Sequence, residues 1–401
     1  MNDGVLAELV EAASSKIVLL VMDGLGGLPR QPGGPTELEA ARTPNLDALA
    51  AQSELGLTVP VAPGISPGSG PGHLALFGYD PLAFPIGRGA MEALGADFEL
   101  GPDDLAARGN FCSVNAGGIL TDRRAGRIPT ELNGELCRLL EGIRLDGVQV
   151  FLRPVREHRF ALVLRGQGLG DALSETDPQR TGIPIPAVSA LEPASEKAAG
   201  LVRLFVDEAR CRLADSRPAN MILLRGFAAS PVLPDFTQRY RLRSAAIAVR
   251  GMYRGVARLA GMQVLDFRGE ELGDQFAALE QRWEDFDFFY LHVKQTDTAG
   301  ELGDFDGKVR AIEAVDALLP RLLALRPDVL VVGGDHSSPA VLRAHSWHPV
   351  PLLIHSVRAR ASAVPEFGER VCARGSLGLL RATDVMPLAL AHAGRLGKYG
   401  A

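Results

Sequence analysis

Asp335 and His336 stand side by side directly after the apolar run Val329-Leu330-Val331-Val332. A carboxylate beside an imidazole at the end of a buried strand suits a divalent metal ion. Two more acidic residues are placed in the same way. Asp23 ends the run Lys16-Ile17-Val18-Leu19-Leu20-Val21-Met22, and Asp297 closely follows Phe288-Phe289-Tyr290-Leu291-His292-Val293. His345 lies nine residues past His336, just before the apolar run Val350 to Ile354. In an open parallel sheet, ligands collect beyond the carboxyl ends of the strands. Three acidic positions reaching that edge independently point to a metal site rather than to core packing.

A hydroxyl is placed to use such a site. Ser69 sits in the Gly/Pro-rich loop Pro67-Gly68-Ser69-Gly70-Pro71-Gly72, ahead of the helix-like His73-Leu74-Ala75-Leu76-Phe77. Backbone N–H groups at a helix N-terminus favour an anion such as phosphate. A free serine is a poor nucleophile at neutral pH, and a nearby divalent cation favours its alkoxide. Two metals would clamp both the attacking and the leaving oxygen of a phosphoryl transfer. His73, four residues past Ser69, either faces that site or is a hydrogen-bonded structural histidine.

The elements that must carry these residues read as alternating strands and helices at both ends of the chain. That pattern predicts an α/β fold with a mostly parallel sheet flanked by helices. Thr43-Pro44 predicts a helix start, with Thr43 as N-cap and Leu46, Leu49 and Ala50 at helical spacing. Val309, Ile312, Val315, Leu319 and Leu322 mark another helix, in which Pro320 is expected to cause a kink or split off the last turn. A third is expected over about 194–213. Between about Ser113 and Pro178 the pattern shifts to short strand-like pieces, 148–152 and 160–164, among turns. The expectation is a smaller α+β domain at 113–178, inserted into a metal-binding domain of residues 1–112 and 179–401.

Composition narrows the function classes. The 401 residues are 46% hydrophobic and 22% charged, ordinary for a globular protein. A formal charge of −6 argues against general nucleic-acid affinity, which needs a basic face. Cys112, Cys137, Cys211 and Cys372 are far apart without CxxC spacing, so they read as inert thiols in a reducing compartment. No run approaches the roughly 18 apolar residues of a membrane span, and residues 1–15 lack signal-peptide character. A cytoplasmic protein with no membrane or nucleic-acid partner is expected.

Taken in order, several stretches resemble the archaeal-type, 2,3-bisphosphoglycerate-independent phosphoglycerate mutases of the alkaline phosphatase superfamily. In the first half they are Val21-Met22-Asp23-Gly24, Ala41-Arg42-Thr43-Pro44-Asn45, His73-Leu74-Ala75-Leu76-Phe77-Gly78-Tyr79-Asp80-Pro81, Gly87-Arg88-Gly89, Asp122-Arg123-Arg124-Ala125-Gly126-Arg127, Glu157-His158-Arg159 and Leu223-Leu224-Arg225-Gly226. The second half adds His292-Val293-Lys294, Asp304-Phe305-Asp306-Gly307-Lys308, Gly334-Asp335-His336-Ser337-Ser338-Pro339, Ala344-His345-Ser346 and Cys372-Ala373-Arg374-Gly375.

The resemblance implies an alkaline phosphatase-like fold, two divalent ions and a phosphoserine intermediate. Asp23, Ser69, Asp335 and His336 would surround one metal, with Asp297 and His345 at the other. The resemblance implies Mn2+ first, with Mg2+, Zn2+ or Co2+ as alternatives. Oxygen and imidazole donors without thiolate fit Mn2+ or Mg2+ better than a structural zinc site. Ser69 would take the phosphoryl group from one hydroxyl of phosphoglycerate and return it to the neighbouring one. Arg123, Arg124, Arg127, His158, Arg159 and Arg374 lie in matching segments and would clamp phosphate and carboxylate. Lys294, between a strand end and Asp297, is a further anion-binding candidate. The insert would act as a lid that keeps water from the phosphoserine.

Gly70-Pro71-Gly72 stands where the family more often has an acidic or Thr-containing run, and one further departure matters more. The family has Asp, three residues, then His; here Asp297-Thr298-Ala299-Gly300 leads to Glu301. Either Glu301 binds the cation through oxygen, or the second metal is lost or altered, with His348 as a substitute ligand. The implied reaction is interconversion of 3- and 2-phosphoglycerate. The alternative is a related metal-dependent phosphoryl or phosphonate hydrolase or phosphotransferase. A metal-depleted binding protein would lack Ser69, Asp23 or Asp335, and all three are present.

Overall fold

A computed structural model describes residues 3–249, 251–269 and 271–400. The chain enters through β1 (Ile17–Met22), α1 (Pro44–Ala50), β2 (Ser53–Val59) and α2 (Ser69–Leu76). It then builds β3 (Asp104–Val114), β4 (Leu120–Asp122), β5 (Gln149–Arg156), β6 (Arg159–Arg165), α3 (Glu196–Leu213) and β7 (Met221–Ala229). It returns through β8 (Ser244–Ile247), β9 (Gln263–Val264), β10 (Phe288–Val293), α4 (Gln295–Leu302), α5 (Phe305–Ala324), β11 (Val329–Gly333), β12 (Val350–Ser356) and β13 (Gly378–Arg381).

These elements form two compact units. The first takes the residues up to Phe84, Leu233–Val249 and the stretch from Val256 on. Its eight-stranded sheet has the order β13-β2-β12-β11-β1-β10-β8-β9. Five of its pairings are parallel, and only β12 runs against both neighbours. β1, β10 and β11 lie side by side and are buried along their whole length. Strands covered on both faces read as continuous apolar runs, and that is how their sequences read. The mostly parallel α/β sheet is therefore the one expected.

The second unit is Pro85–Val232 with a short segment ending at Gly255. Its strands are antiparallel, in the order β4-β3-β6-β5, with β7 on the other side of β3. Residues 113–178 lie within it. It extends further on both sides because β3 starts at Asp104 and pairs with β7 as well as β6. α3 adds Val202, Phe205, Ala209 and Leu213 to that unit's own core.

Two local expectations are refined. Thr43 is at the N-cap of α1 but makes no side-chain cap. The carboxylate of Asp316 does that work, accepting from Leu46 N at 2.7 Å and Asn45 N at 3.1 Å. Nor does Pro320 split α5, which runs on to Ala324. A proline deprives the carbonyl four residues earlier of its helical donor. That carbonyl is Asp316 O, and Asn45 Nδ2 donates to it at 3.1 Å.

The four cysteines are free, and three of them are buried. Among the described residues no helix is long and apolar enough to cross a membrane.

Candidate metal centre

Because β1, β10 and β11 are adjacent and parallel, the segments after them emerge at one edge. Asp23 follows β1 directly and is held by its N–H on Val293 O at 2.9 Å and its carbonyl under Thr296 Oγ1 at 2.5 Å. Asp297 sits in the first turn of α4, and Asp335-His336 follows β11. All four side chains are buried. Gly24 has φ +64°, and a Cβ there would lie 2.7 Å from Ser338 Oγ and 2.8 Å from Asp297 Oδ1, so only glycine fits. α2 is brought against the Asp335 loop at Gly72, where any Cβ would overlap the Asp335 carbonyl. This contact sets Ser69, the first residue of α2, into the edge.

The donors converge on His336. Its Nε2 is 3.1 Å from Ser69 Oγ, 3.2 Å from Asp23 Oδ1 and 3.2 Å from Asp335 Oδ2. Its ring stacks on His345 with centroids 3.7 Å apart. His345 Nδ1 donates to Pro67 O at 2.9 Å, which leaves Nε2 with its lone pair for a cation. That nitrogen is 3.5 Å from Asp297 Oδ1 and 3.4 Å from Glu301 Oε1. Two groups of ligand atoms result, each within 4.8 Å: Asp23, Asp335 and His336, then Asp297, His336 and His345. His336 belongs to both.

Electrostatics mark the centre as a place for positive charge. Burial works against the charge of Asp23, yet His292 and His336 overcome it and hold that carboxyl well below the usual range. Asp335 is likewise lowered against burial and against the repulsion of Asp23, by His336 and His73. His336 is pushed up to about 9, because Asp335, Asp23 and Asp297 outweigh its burial. Lys294 Nζ bridges Asp297 Oδ2 at 2.5 Å and Asp23 Oδ2 at 3.3 Å. Asp23 Oδ1 and Asp335 Oδ2 are buried without a hydrogen-bond donor. Three buried carboxylates, two of them with an orphaned oxygen, need cations. These residues fit a pair of divalent ions, and with no thiolate among them they suit hard or borderline metals.

His73 is a buried histidine inside this network, Nδ1 being 2.8 Å from Ser69 O and 3.1 Å from Asp335 Oδ2. His348 lies outside both groups, its Nδ1 3.0 Å from Ser346 Oγ. Arg374 is exposed just past a short helix, Glu369–Cys372.

The remaining candidates belong to the second unit. Arg124 and Arg127 are exposed on the turn after β4, which Asp122 caps through Arg124 N and Gly126 N. Arg123 forms a bidentate pair with Asp177 at 2.9 and 2.7 Å, and Arg225 reaches the same carboxylate at 3.3 Å. His158 is buried, and its pKa is lowered by that burial and by Arg159, Arg124 and Arg108.

Sequence reasoning missed several residues here. Arg108 is drawn down by burial and by Arg159, Arg225 and Arg88, with Glu92 opposing. Arg108 Nε, Arg225 Nε and His158 Nδ1 are buried without a hydrogen-bond partner. Such a crowd of cations calls for an anion. Arg88 and Arg225 were in segments already singled out, whereas Arg108 in β3 carried no signal. In the metal centre the missed residues are His292, 2.9 Å from Asp23 Oδ2, and Ser338, 2.5 Å from Asp297 Oδ1. A lone imidazole in the apolar run before Lys294 was the available sign of the first.

A model of the 2,3-bisphosphoglycerate-independent phosphoglycerate mutase family matches residues 50–220. A probable 2,3-bisphosphoglycerate-independent phosphoglycerate mutase of Thermus thermophilus is 54% identical over 401 residues, covering 99% of both chains. The chain belongs to this enzyme family. A counterpart of the same name from Thermosipho africanus is 50% identical over 399 residues, covering 99% of this chain and 98% of the relative. Among solved structures, the cofactor-independent phosphoglycerate mutase of Thermoplasma acidophilum is 30% identical, with a TM-score of 0.80 over 95% of this chain and 100% of that one. The PH0037 protein of Pyrococcus horikoshii is 29% identical, with a TM-score of 0.81 over 97% and 100%.

Proposed function

We propose that this chain interconverts 3-phosphoglycerate and 2-phosphoglycerate through a phosphoserine at Ser69, without 2,3-bisphosphoglycerate, as a cytoplasmic enzyme. The observation that carries the reading is the 3.1 Å contact of Ser69 Oγ with Nε2 of His336, the residue common to both ligand groups. Two divalent ions, Mn2+ or failing that Mg2+, Zn2+ or Co2+, would favour the serine alkoxide and offset charge on the transferring phosphoryl group. Asp23, Asp335 and His336 would hold one ion, and Asp297, Glu301 and His345 the other.

In the first half-reaction Ser69 Oγ attacks phosphorus as the bond to the substrate oxygen breaks, and that oxygen takes up a proton. The freed glycerate turns, its other hydroxyl attacks the phosphoserine, and Ser69 is released. The N–H groups opening α2 face the phosphoryl oxygens. Arg123, Arg124, Arg127, His158, Arg159, Lys294 and Arg374 are proposed to bind the anionic groups of the substrate, joined by Arg88, Arg108 and Arg225. The orphaned donors in this basic set support that part of the reading. Water must be excluded while the glycerate turns, and the inserted unit is proposed to do so. Small-angle scattering with a substrate analogue should show compaction; an unchanged profile removes the lid.

Glu301 favours a second reading, a related metal-dependent phosphoryl or phosphonate hydrolase or phosphotransferase, because it stands where the family pattern has histidine. An enolase-coupled assay on Mn2+-loaded protein without bisphosphoglycerate separates the two. The mutase reading expects activity, a phosphoryl group on the Ser69 peptide after acid quench, and at least about 10³-fold loss in Ser69→Ala. Release of free phosphate without isomerisation selects the hydrolase instead.

A further inference from the structure

Lys308, in the first turn of α5, is fully buried. Its Nζ donates to Gly24 O at 2.8 Å, Gly26 O at 2.9 Å and Ser338 O at 2.9 Å. A neutral amine has only two N–H bonds, so three acceptors require the ammonium. Burial opposes that charge, while Glu37, Glu369, Asp297 and Asp23 support it.

The three carbonyls belong to the two loops that present Asp23, Asp335 and His336. Gly24 follows Asp23, and Ser338 is two residues past His336. The loops are further joined by Ser338 N on Gly26 O at 3.0 Å and by Gly24 N on Asp335 Oδ1 at 3.0 Å. From this junction Ser338 Oγ reaches Asp297 Oδ1 at 2.5 Å and His336 Nδ1 at 3.1 Å. One buried cation thus ties down the backbone on which Asp23, Asp297, Asp335 and His336 depend. Converging carbonyls repel one another unless a donor or cation lies between them.

We propose that Lys308 is a positioning residue of the metal centre, and that its ammonium orders the loops 23–27 and 335–339 before any divalent ion arrives. The proposal rests on the reading that these carboxylates hold metal, but its first test needs none. It predicts that in wild-type protein stripped with EDTA, hydrogen exchange at both loops is as slow as in β1, and that Mn2+ slows it little further. Loops that exchange freely until Mn2+ is added would overturn it.

Variants give the second test. Lys308→Met keeps the stem without the donors; loop exchange should rise at least about tenfold with β1 unchanged. Mn2+ affinity by calorimetry should fall about 10–100-fold, the usual effect of losing a group that orients ligands. Lys308→Ala leaves room for an added alkylammonium ion, and propylammonium should restore part of the loop protection. A lowered melting temperature with wild-type loop exchange and Mn2+ affinity would mark a merely structural lysine and sink the idea. Should Lys308→Met fail to fold, the exchange of wild-type protein decides alone. Protected loops in a protein without mutase activity would fail only the mutase reading.

Discussion

Glu301 Oε1 lies 3.4 Å from His345 Nε2, and Asp297 Oδ1 is 3.5 Å from the same nitrogen. The carboxylate that replaces the family histidine therefore reaches the second ligand group through its imidazole. A carboxylate is a harder donor than an imidazole, so Glu301, as the ligand proposed above, would bias the site toward Mn2+ or Mg2+. Glu301→Gln should weaken the second Mn2+ step in a calorimetric titration by about tenfold and leave the first unchanged. Glu301→His should shift preference toward Zn2+ or Co2+. If neither variant changes the titration, Glu301 is no ligand.

Asn45 should matter for stability and not for chemistry. Its side chain donates to Asp316 O, the carbonyl that Pro320 leaves without a helical partner. Asn45→Ala should lower the urea-unfolding free energy by about 1–3 kcal/mol, the cost of a buried acceptor left unmade, with kcat unchanged. Adding Pro320→Ala restores the helical donor, so the double variant should lose less than Asn45→Ala. Strict additivity would mean that this carbonyl is not the cause.

Glu369, which is in neither ligand group, supplies a pH dependence of its own. It accepts from Gly27 N at 2.9 Å and Thr36 Oγ1 at 2.5 Å, and burial pushes its pKa up to about 7 from the usual 4.5. Between those values the folded chain keeps a proton that the unfolded chain releases. Stability from this group is therefore greatest below pH 4.5, falls toward pH 7 and is flat above, a total on the order of 3 kcal/mol. Thermal unfolding of Glu369→Gln across pH 4.5–7.5 should lose that slope. A variant as steep as wild type places the titration elsewhere.

Asp177 orients two arginines of the proposed substrate set. Burial raises its pKa, but the Arg123 pair and Arg225 hold it below the ordinary range. Asp177→Ala frees both guanidinium groups, so KM for phosphoglycerate should rise about tenfold with kcat within about threefold of wild type. An equal fall in kcat and kcat/KM would instead assign the pair a role confined to the transition state.

Much of this architecture was legible because parallel strands buried on both faces must be apolar throughout. β1, β10 and β11 therefore stand out in the sequence, and whatever polar residue ends each run is committed to one edge of the sheet. Asp23 and Asp335 follow from that rule, Asp297 lies in the helical turn just beyond it, and Ser69 was legible instead from its Gly/Pro-rich loop ahead of a helix. Pairing across hundreds of residues obeys no such periodicity. That His336 faces both ligand groups, that Asn45 satisfies the carbonyl below Pro320, and that Lys308 joins two loops were set only when distant segments packed. Local pattern specifies which side chains reach an edge, because strand and helix repeats are short-range. Which buried donor meets which acceptor is a matter of three-dimensional proximity, decided when every polar group shut away from water had to find a partner.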